Sequence, residues 1–196
     1  MASLLKSTHN TRSIIKDSIR YIRSDAIIDL EEEEIQWLIE NNILTVVDLR
    51  TKQEAEKNPC CLEYHNEFAY INIPVSYGDE MPLTPDMVPP SFLKMVDGVM
   101  RKIISTIENS KTNVIYFCRQ GKDRTGVVSA LLLLRQGLSQ DEIISDYLLS
   151  AGNLVDSIEQ DCRDYPELEK EAATPKAEYM KQFLQDIIVS DSIRII

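Results

Sequence analysis

Apolar side chains recur at the spacing of an α-helix in several segments of the chain. The clearest is residues 92–107, where they follow the i, i+3, i+4, i+7 series that places them on one face. Residues 31–42 combine this spacing with acidic side chains in the first turn, after Asp29 as the candidate N-cap. Further helices are predicted at residues 51–57, at 125–136, which Gly137 ends, at 140–149, which Ser139 caps, and at 179–188.

Three other segments have the composition of β-strands. Residues 43–48 and 114–117 are rich in β-branched side chains and nearly continuous in apolar character, which is typical of strands covered on both faces. Residues 69–75 predict a further strand that ends near Pro74. Because these strands alternate with the predicted helices, the sequence predicts a single α/β domain with a largely parallel central sheet flanked by helices.

Residues 76–90 interrupt this alternation of strands and helices. They hold four of the eight prolines, together with Gly78 and several acidic side chains. A loop of this length is more often functional than merely connecting. We therefore expect a loop here that contributes to function.

Composition and charge narrow the range of functions. The 196 residues are 43% apolar and 27% charged, which is typical of one globular domain. The formal net charge of −11 argues against nucleic-acid binding through a general basic field, so an anionic ligand needs a local site. The sequence has no apolar run of 18 residues and no secretion-signal pattern. We therefore expect a cytoplasmic protein without integral membrane association.

The four cysteines show no metal-binding pattern. Cys60, Cys61, Cys118 and Cys162 lack the paired C-x2-C spacing of zinc sites, and the chain has only two histidines. We expect neither a metal nor another cofactor. Cys60 and Cys61 are interpreted as ordinary thiols, because a disulfide between adjacent cysteines is strained and the cytosol is reducing.

The segment C-R-Q-G-K-D-R-T-G at residues 118–126 carries the clearest chemistry. It joins a predicted strand to a predicted helix, and such a loop directs unpaired N–H groups and a partial positive charge toward an anion. These groups and Arg124 favour the thiolate of Cys118, which makes it a nucleophile. Arg124 can also bind two oxygens of a phosphoryl group at once. Gly121 permits a tight turn, and Gly126 permits a close approach of the helix.

This C-x5-R-T-G segment resembles the signature of the cysteine-dependent protein tyrosine and dual-specificity phosphatases. It is most similar to the bacterial branch with the loop C-x-x-G-K-D-R-T-G, whose members act on phosphotyrosine and often on phosphoinositides. The resemblance implies a metal-independent phosphomonoester hydrolase with a phosphocysteine intermediate. Its substrates would be proteins phosphorylated on tyrosine, and also on serine or threonine, or phosphoinositides. A single phosphatase domain would span residues 1–196, with 1–20 as an N-terminal extension and 118–126 as the phosphate-binding loop.

The resemblance also implies roles for the residues of this loop. Thr125 would hydrogen-bond the sulfur of Cys118 and ease its departure in the second step. Lys122 is expected to bind additional phosphate or acidic groups near the reacting one. The catalytic residues are expected to be Cys118, Asp123 and Arg124, and the substrate-binding residues Arg119, Gln120, Gly121, Lys122, Thr125 and Gly126.

The general acid that protonates the leaving oxygen has two main candidates. Asp123 lies within the loop, and this aspartate has been proposed as the acid in the branch that the sequence resembles. Asp79 lies in residues 76–90, where the wider superfamily places a mobile acid loop. Glu80 and Asp86 are lesser candidates on the same segment. We favour Asp123 over Asp79.

Three further segments extend the resemblance over residues 21–150. They are Y-I-R-S-D-A at residues 21–26, V-V-D-L-R at 46–50 with Glu54, and D-Y-L-L-S at 146–150. Asp48, Arg50 and Glu54 are expected to form a structural network of salt bridges. One departure is Phe117, because the family usually has a histidine before the cysteine, and this departure bears on the tuning of the thiolate.

Two other functions are weighed against the phosphatase. A pseudophosphatase would bind phosphorylated ligands without turnover. Phe117 favours this function, whereas Cys118, Asp123 and Arg124 oppose it. A thiol-based sulfurtransferase or arsenate reductase also uses a loop cysteine at a strand end, but it would not need the G-K-D-R-T-G segment and ranks lowest. The sequence indicates no particular oligomeric state.

Overall fold

The chain folds around a mostly parallel sheet with helices on both faces. The computed structural model describes residues 3–76 and 81–189. The strands are β1 (Arg12–Ser13), β2 (Tyr21–Ser24), β3 (Ile43–Asp48), β4 (Ala69–Asn72) and β5 (Asn113–Phe117). They lie in the order β1-β2-β5-β3-β4, with β1 antiparallel to β2 and the other neighbours parallel. The predicted α/β fold is confirmed.

Most of the predicted helices are present. The helices are α1 (Glu32–Glu40), α2 (Lys52–Lys57), α3 (Val88–Lys94), α4 (Gly98–Glu108), α5 (Asp123–Arg135), α6 (Gln140–Asn153), α7 (Val155–Asp164), α8 (Lys170–Ala173) and α9 (Ala177–Val189), with a 3₁₀ helix at Pro85–Met87. The helices predicted at 51–57, 140–149 and 179–188 are confirmed as α2, α6 and α9. In the described ranges, no helix has both the length and the apolar character needed to cross a bilayer.

The central strand β5 is buried on both faces, as its sequence predicts. Val114 and Tyr116 belong to the larger core cluster, which they share with side chains of α4, α5 and α9. Ile115 and Phe117 belong to a second cluster on the opposite face, which includes Leu38 of α1. Successive side chains of a strand point to opposite faces. Both faces of β5 are therefore apolar, and the apolar run in the sequence is continuous.

Capping groups explain where several helices begin and end. The Ser139 hydroxyl accepts a hydrogen bond from the Glu142 amide at the start of α6, as predicted. After α5, Gly137 has a φ of +80°, a backbone conformation that glycine adopts without strain. The predicted cap at Asp29 is wrong. α1 begins instead after Glu31, because the Glu31 amide donates to the carboxylate of the glutamate three residues later at 2.9 Å.

The single helix predicted over residues 92–107 is interrupted. α3 and α4 are separate, because the Asp97 carboxylate accepts hydrogen bonds from the amides of Val99 at 2.8 Å and Met100 at 2.9 Å. These bonds satisfy amides that the first turn of a new helix leaves unpaired. The apolar spacing continues across the break because both helices pack against the larger core cluster.

The loop predicted at residues 76–90 ends earlier than expected. Residues 77–80 lie outside the described ranges. From Pro85 the chain forms a 3₁₀ turn, and α3 follows with Pro89 and Pro90 in its first turn. Proline is tolerated there because a helix makes no internal hydrogen bond with its first amides. These two prolines mark a helix start and not a loop.

The strand predicted at residues 69–75 is also shorter than expected. β4 ends at Asn72, although the Ile73 and Val75 amides still donate to the carbonyls of Asp48 and Leu49. Pro74 lies between them and has no N–H to donate, so the regular pairing stops. The chain nevertheless stays beside β3 up to Val75.

β2 and α7 are two of the elements near the site that were not predicted. β2 lies between β1 and β5 although it contains Arg23, whose side chain is completely buried. α7 has mostly polar side chains and buries only Ile158 and Asp161. Neither segment has an apolar pattern strong enough to indicate its element.

Candidate active site

Cys118 lies directly after β5, at the edge of the sheet where the parallel strands end. The loop then leads into α5, which begins at Asp123, two residues earlier than predicted. Asp123 and Arg124 therefore belong to the first turn of α5. The amides at such a helix start, together with the helix dipole, favour an anion in front of them.

Gly121 gives the loop its tight turn, as predicted. Its φ is +65°, and an added Cβ would lie 2.3 Å from the Ser24 carbonyl oxygen and 2.6 Å from the Asp25 amide nitrogen. Both atoms belong to the backbone at the end of β2, so they cannot move aside easily. Only glycine fits at this crossing.

Side chains from the N-terminal part of the chain hold the loop carbonyls. The Asn10 Nδ2 donates to the Gly121 oxygen at 3.0 Å and to the Gln120 oxygen at 3.2 Å, and Arg23 Nη2 donates to the Gly121 oxygen at 2.7 Å. In a trans peptide the N–H points away from its C=O. Fixing these carbonyls therefore fixes the loop amides. Asn10 has no signal in the sequence that indicates this role, and for Arg23 the only signal was the resemblance at residues 21–26.

Two buried arginines connect this N-terminal segment to α6. The Arg12 Nε lies 2.8 Å from one oxygen of Asp146, and Arg23 pairs with the other oxygen. Burial and the charge of Arg23 lower the pKa of Arg12 to about 10, although Asp146 acts in the opposite direction. The Ser150 hydroxyl accepts from both Asn10 and Arg12 at 3.1 Å. These contacts give the D-Y-L-L-S segment a role in positioning the loop.

Arg124 forms a bidentate ion pair with Glu54 of α2. Its two terminal nitrogens lie 2.6 and 2.7 Å from the two carboxylate oxygens. Burial by itself raises the pKa of Glu54, but the hydrogen bonds and charge of Arg124, with hydrogen bonds from Thr51, lower it to about 2. Glu54 is therefore ionised at neutral pH and fixes the orientation of Arg124.

The predicted salt-bridge network of Asp48, Arg50 and Glu54 is correct for the first two residues and wrong for Glu54. Asp48 and Arg50 do form a buried ion pair, with 2.7 Å between Arg50 Nη2 and Asp48 Oδ2. Glu54 instead serves Arg124. Arg50 also lies over the Phe117 ring, 5.1 Å from its centroid. A cation thus lies beside the position where the resembled family usually has a histidine.

A cavity of about 580 Å³ brings together the predicted catalytic residues Cys118, Asp123 and Arg124. Cys118 is only 2% exposed, so its thiol is approached through this cavity. Three half-exposed apolar side chains also line it, namely those of Ile28, Met81 and Tyr165. The other lining residues are Ala26, Arg50, Glu54, Lys57, Asn58, Pro82, Val88, Arg119, Gln120, Lys122, Asp161, Asp164, Leu168, Ala172 and Ala173.

Comparison with known proteins agrees with this geometry. A family model described as the tyrosine phosphatase family matches residues 6–190. The chain belongs to this family. A tyrosine-protein phosphatase of Nostoc commune is 28% identical over 115 residues, which are 54% of this chain and 39% of that protein. A protein of Cupriavidus necator whose name also places it among the tyrosine-protein phosphatases is 43% identical over 53 residues, which are 27% of this chain and 18% of that protein. The match therefore covers less than two fifths of either relative.

This member of the tyrosine phosphatase family shares its fold with a solved structure, P. aeruginosa TpbA. The TM-score is 0.54, and the alignment covers 99% of this chain and 94% of TpbA. The sequence identity is 12%, so this likeness concerns the fold alone.

Three polar loop side chains of this tyrosine phosphatase family member contact α7 and α8. Both terminal nitrogens of Arg119 donate to Asp161, at 2.9 and 2.6 Å, and Gln120 Nε2 donates to Asp161 at 2.8 Å. Lys122 Nζ donates to the Ala173 carbonyl at 2.5 Å. All three side chains line the cavity, yet each already has a partner within the chain.

The remaining predicted loop residues, Thr125 and Gly126, are buried. The Thr125 hydroxyl makes no hydrogen bond to any described residue, so the predicted bond to the Cys118 sulfur is not formed in this structure. An added Cβ at Gly126 would lie 3.2 Å from the Tyr147 ring of α6. This agrees with the predicted close approach of the helix.

Of the four candidates for the general acid, the structure places one at the cavity. Asp123 lines the cavity, with its carboxylate 3.3 Å from Lys122 Nζ. Asp79 and Glu80 lie outside the described residues. Asp86 is exposed, accepts a hydrogen bond from Thr84 at 2.6 Å and lies at a different surface pocket. Among the described residues, no group of three or more His, Cys, Asp or Glu side chains is arranged to hold a metal ion.

Proposed function

We propose that this protein hydrolyses phosphate monoesters, with phosphotyrosine in proteins as its principal substrate and Cys118 as the nucleophile. The observation that carries the proposal is the convergence of Cys118, Asp123 and Arg124 on one cavity at the start of α5. The match of residues 6–190 to the tyrosine phosphatase family supports it. In this proposal residues 118–126 bind the phosphoryl group within one phosphatase domain.

In the first step the Cys118 thiolate attacks the phosphorus atom. A P–S bond forms, the P–O bond to the leaving group breaks, and the Asp123 carboxyl gives its proton to the leaving oxygen. Arg124 and the amides at the start of α5 stabilise the charge on the other phosphoryl oxygens. Glu54 holds both terminal nitrogens of Arg124, so the guanidinium already has a fixed orientation at the cavity when the phosphoryl group arrives.

In the second step water hydrolyses the phosphocysteine. The Asp123 carboxylate accepts a proton from the water, the water oxygen bonds to phosphorus, and the P–S bond breaks. Inorganic phosphate leaves, and the Cys118 thiolate is restored. The buried Thr125 hydroxyl can donate a hydrogen bond to the departing sulfur after a rotation of its side chain.

The walls of the cavity support phosphotyrosine as the principal substrate. Ile28, Met81 and Tyr165 are 41%, 39% and 44% exposed, respectively, beside the buried thiol of Cys118. An aromatic ring gains free energy by burying its surface against such side chains. Phosphoserine, phosphothreonine and phosphoinositides share the phosphoryl group but lack the aryl ring, so we propose them as poorer substrates.

Phosphate release from a phosphotyrosine peptide in the presence of a chelator tests the proposal. We expect turnover by the wild type and a loss of roughly 10³-fold or more in Cys118→Ser, because the alcohol is a far weaker nucleophile. Cys162→Ser is the matched control, since Cys162 is also a free cysteine but does not line the cavity. Unchanged turnover in Cys118→Ser would contradict the proposal.

The same assay separates the phosphatase from a pseudophosphatase. Phe117 is the observation that favours the pseudophosphatase, because the resembled family usually has a histidine there. A pseudophosphatase would bind the phosphotyrosine peptide with similar affinity in wild type and Cys118→Ser but release no phosphate. We expect release, because Cys118, Asp123 and Arg124, the residues that oppose a pseudophosphatase, all line the same cavity.

A further inference from the structure

Asp161 of α7 accepts three hydrogen bonds from two successive residues of the phosphate-binding loop. Both terminal nitrogens of Arg119 and the side-chain nitrogen of Gln120 lie within 2.9 Å of its oxygens. The Asp161 side chain is 7% exposed, whereas that of Arg119 is 48% exposed. A fixed, nearly buried carboxylate therefore neutralises an arginine at the solvent-facing edge of the cavity.

The charges around the cavity nearly balance. Among the described residues, five cationic and four anionic side chains line it. Arg124 and the α5 amides are sufficient for one phosphoryl group. Arg119 directly follows the nucleophile, and among the cationic side chains of the loop at this cavity it is the largely exposed one, at 48% against 7% for Lys122 and 5% for Arg124. Asp161 occupies the two Arg119 donors that such an anion would use.

We propose that Asp161 is a specificity-determining residue that disfavours phosphotyrosine sites with an acidic residue beside the phosphotyrosine. The inference rests on the proposed function and defines its substrate class more narrowly. A flanking carboxylate on the substrate would have to displace Asp161 from Arg119 or remain unpaired near Asp161 and Asp164. A peptide with neutral flanking residues meets neither penalty.

Two phosphotyrosine peptides that differ only by Glu or Gln next to the phosphotyrosine test the inference. The wild type is expected to have the higher kcat/KM on the Gln peptide. Asp161→Asn keeps the shape of the side chain and one acceptor but releases the charge of Arg119. The preference should then fall by about two- to fivefold, the range for one partly exposed ion pair. The change should appear in KM, because the Arg119 side chain released in this variant would pair with the flanking carboxylate, whereas Arg124 and the loop amides hold the phosphoryl group.

Asp164→Asn is the matched control. Asp164 lies one turn later on α7, lines the same cavity and accepts from Gln160 at 2.7 Å instead of from the loop. Its substitution removes the same charge but releases no arginine. The preference for the Gln peptide should therefore change less than in Asp161→Asn. An equal change in the two variants would overturn the inference, because it would reflect only the charge of the cavity edge.

The double variant Asp161→Asn/Arg119→Gln identifies the cation. The rise in kcat/KM on the Glu peptide that Asp161→Asn is expected to cause should disappear in the double variant. Persistence of that rise would refute the role of Arg119. Arg119→Gln alone tests the same pairing should Asp161→Asn not fold. It leaves Asp161 without its charged partner and should strengthen the preference for the Gln peptide. A weaker preference would count against the inference.

Two further measurements separate this inference from the proposed function. If the wild type releases no phosphate from either peptide, the proposed function fails. The ratio of the two peptide Kd values on the Cys118→Ser background, with and without Asp161→Asn, then still tests Asp161. A wild-type kcat/KM on a bisphosphorylated inositol headgroup above that on the Gln peptide would overturn the inference, because such a ligand carries the second anion that Asp161 is proposed to exclude.

Discussion

At the scale of single residues, the site is built from charged groups that are buried together with their partners. The Arg124 side chain is 5% exposed and would be strongly destabilising without the Glu54 carboxylate. The same holds for Arg12 and Arg23, which share Asp146. Each pairing also fixes a direction, so Arg124 is oriented before an anion arrives and the loop carbonyls are held by Arg23.

The role of Asp123 can be tested by its dependence on the leaving group. A general acid matters for a leaving group that departs poorly as an anion and matters little for an activated phenol. We expect Asp123→Asn to lower kcat by roughly 10²- to 10⁴-fold on an alkyl phosphate and far less on an activated aryl phosphate. The measurement is steady-state phosphate release from both substrates by the same enzyme preparation.

Asp79→Asn is the comparison for that experiment. It should change little if Asp123 is the acid. An equal loss on both substrates in Asp123→Asn, with a selective loss on the alkyl phosphate in Asp79→Asn, would assign the role to Asp79. Both variants remove one carboxylate at constant shape, so their difference reports position and not net charge.

At the scale of elements, the junction between β5 and α5 depends on what surrounds the loop. Gly121 passes against the end of β2, and Gly126 allows α5 to approach Tyr147 of α6. The first crossing involves backbone on both sides. The second involves an aromatic side chain that can move by a few tenths of an ångström.

Two glycines that both have a positive φ allow the effect of the contact between Gly121 and the end of β2 to be isolated. Gly121 and Gly137 have φ values of +65° and +80°, but an added Cβ meets Ser24 only at Gly121 and meets nothing within 4 Å at Gly137. We expect Gly137→Ala to cost about 1 kcal/mol of unfolding free energy through the backbone conformation alone. Gly121→Ala should cost at least about 2 kcal/mol more, because the contact with Ser24 adds steric strain.

Urea unfolding of both variants, followed by phosphate release at a temperature where both are folded, checks this expectation. Gly121→Ala should also lose turnover, because the loop amides shift with Gly121, whereas Gly137→Ala should retain it. Equal free energies of unfolding for the two variants would show that the loop can move away from Ser24.

At the scale of the whole molecule, residues far apart in sequence converge on the same loop. Asn10 lies 111 residues from Gly121, and Glu54 lies 70 residues from Arg124. The folded state therefore assembles the site and its ion pairs together. Stability should accordingly depend on the protonation of the carboxylates that hold the site.

Glu54 makes this dependence measurable. Its pKa is about 2 in the folded chain against an ordinary value of 4.5. Because the folded value is the lower one, the stabilisation is fully present above about pH 4.5 and is lost as the pH falls toward 2. Between pH 7 and pH 3 the wild type should lose about 1–2 kcal/mol more unfolding free energy than Glu54→Gln, after allowance for solvent screening.

Urea unfolding at the two pH values gives this difference. Glu108→Gln is the control, since Glu108 also forms a bidentate pair with an arginine, Arg135, at 2.7 and 3.0 Å but at the surface. The difference in unfolding free energy between Glu108→Gln and the wild type should change much less between the two pH values. If the difference in unfolding free energy between Glu54→Gln and the wild type is the same at both pH values, the ion pair with Arg124 does not contribute to acid sensitivity.

Much of the fold and the reacting segment could be predicted from the sequence because their signals are local. The apolar runs of β3 and β5, the cap at Ser139 and the segment 118–126 are each contained within a few residues. The break before α4 also had a local signal, Asp97 before Gly98, but the continuous apolar spacing outweighed it.

The sequence by itself determined the α/β alternation, the position of the loop after β5 and the candidate chemistry of Cys118, Asp123 and Arg124. Only the tertiary structure decided the partners of the charged residues. It buried Arg23 in β2, directed Glu54 to Arg124 and brought Asp161 of α7 onto Arg119. The physical reason is that secondary structure follows from the spacing of neighbouring side chains, whereas the burial of a charge is stable only beside a partner that the chain supplies from far away.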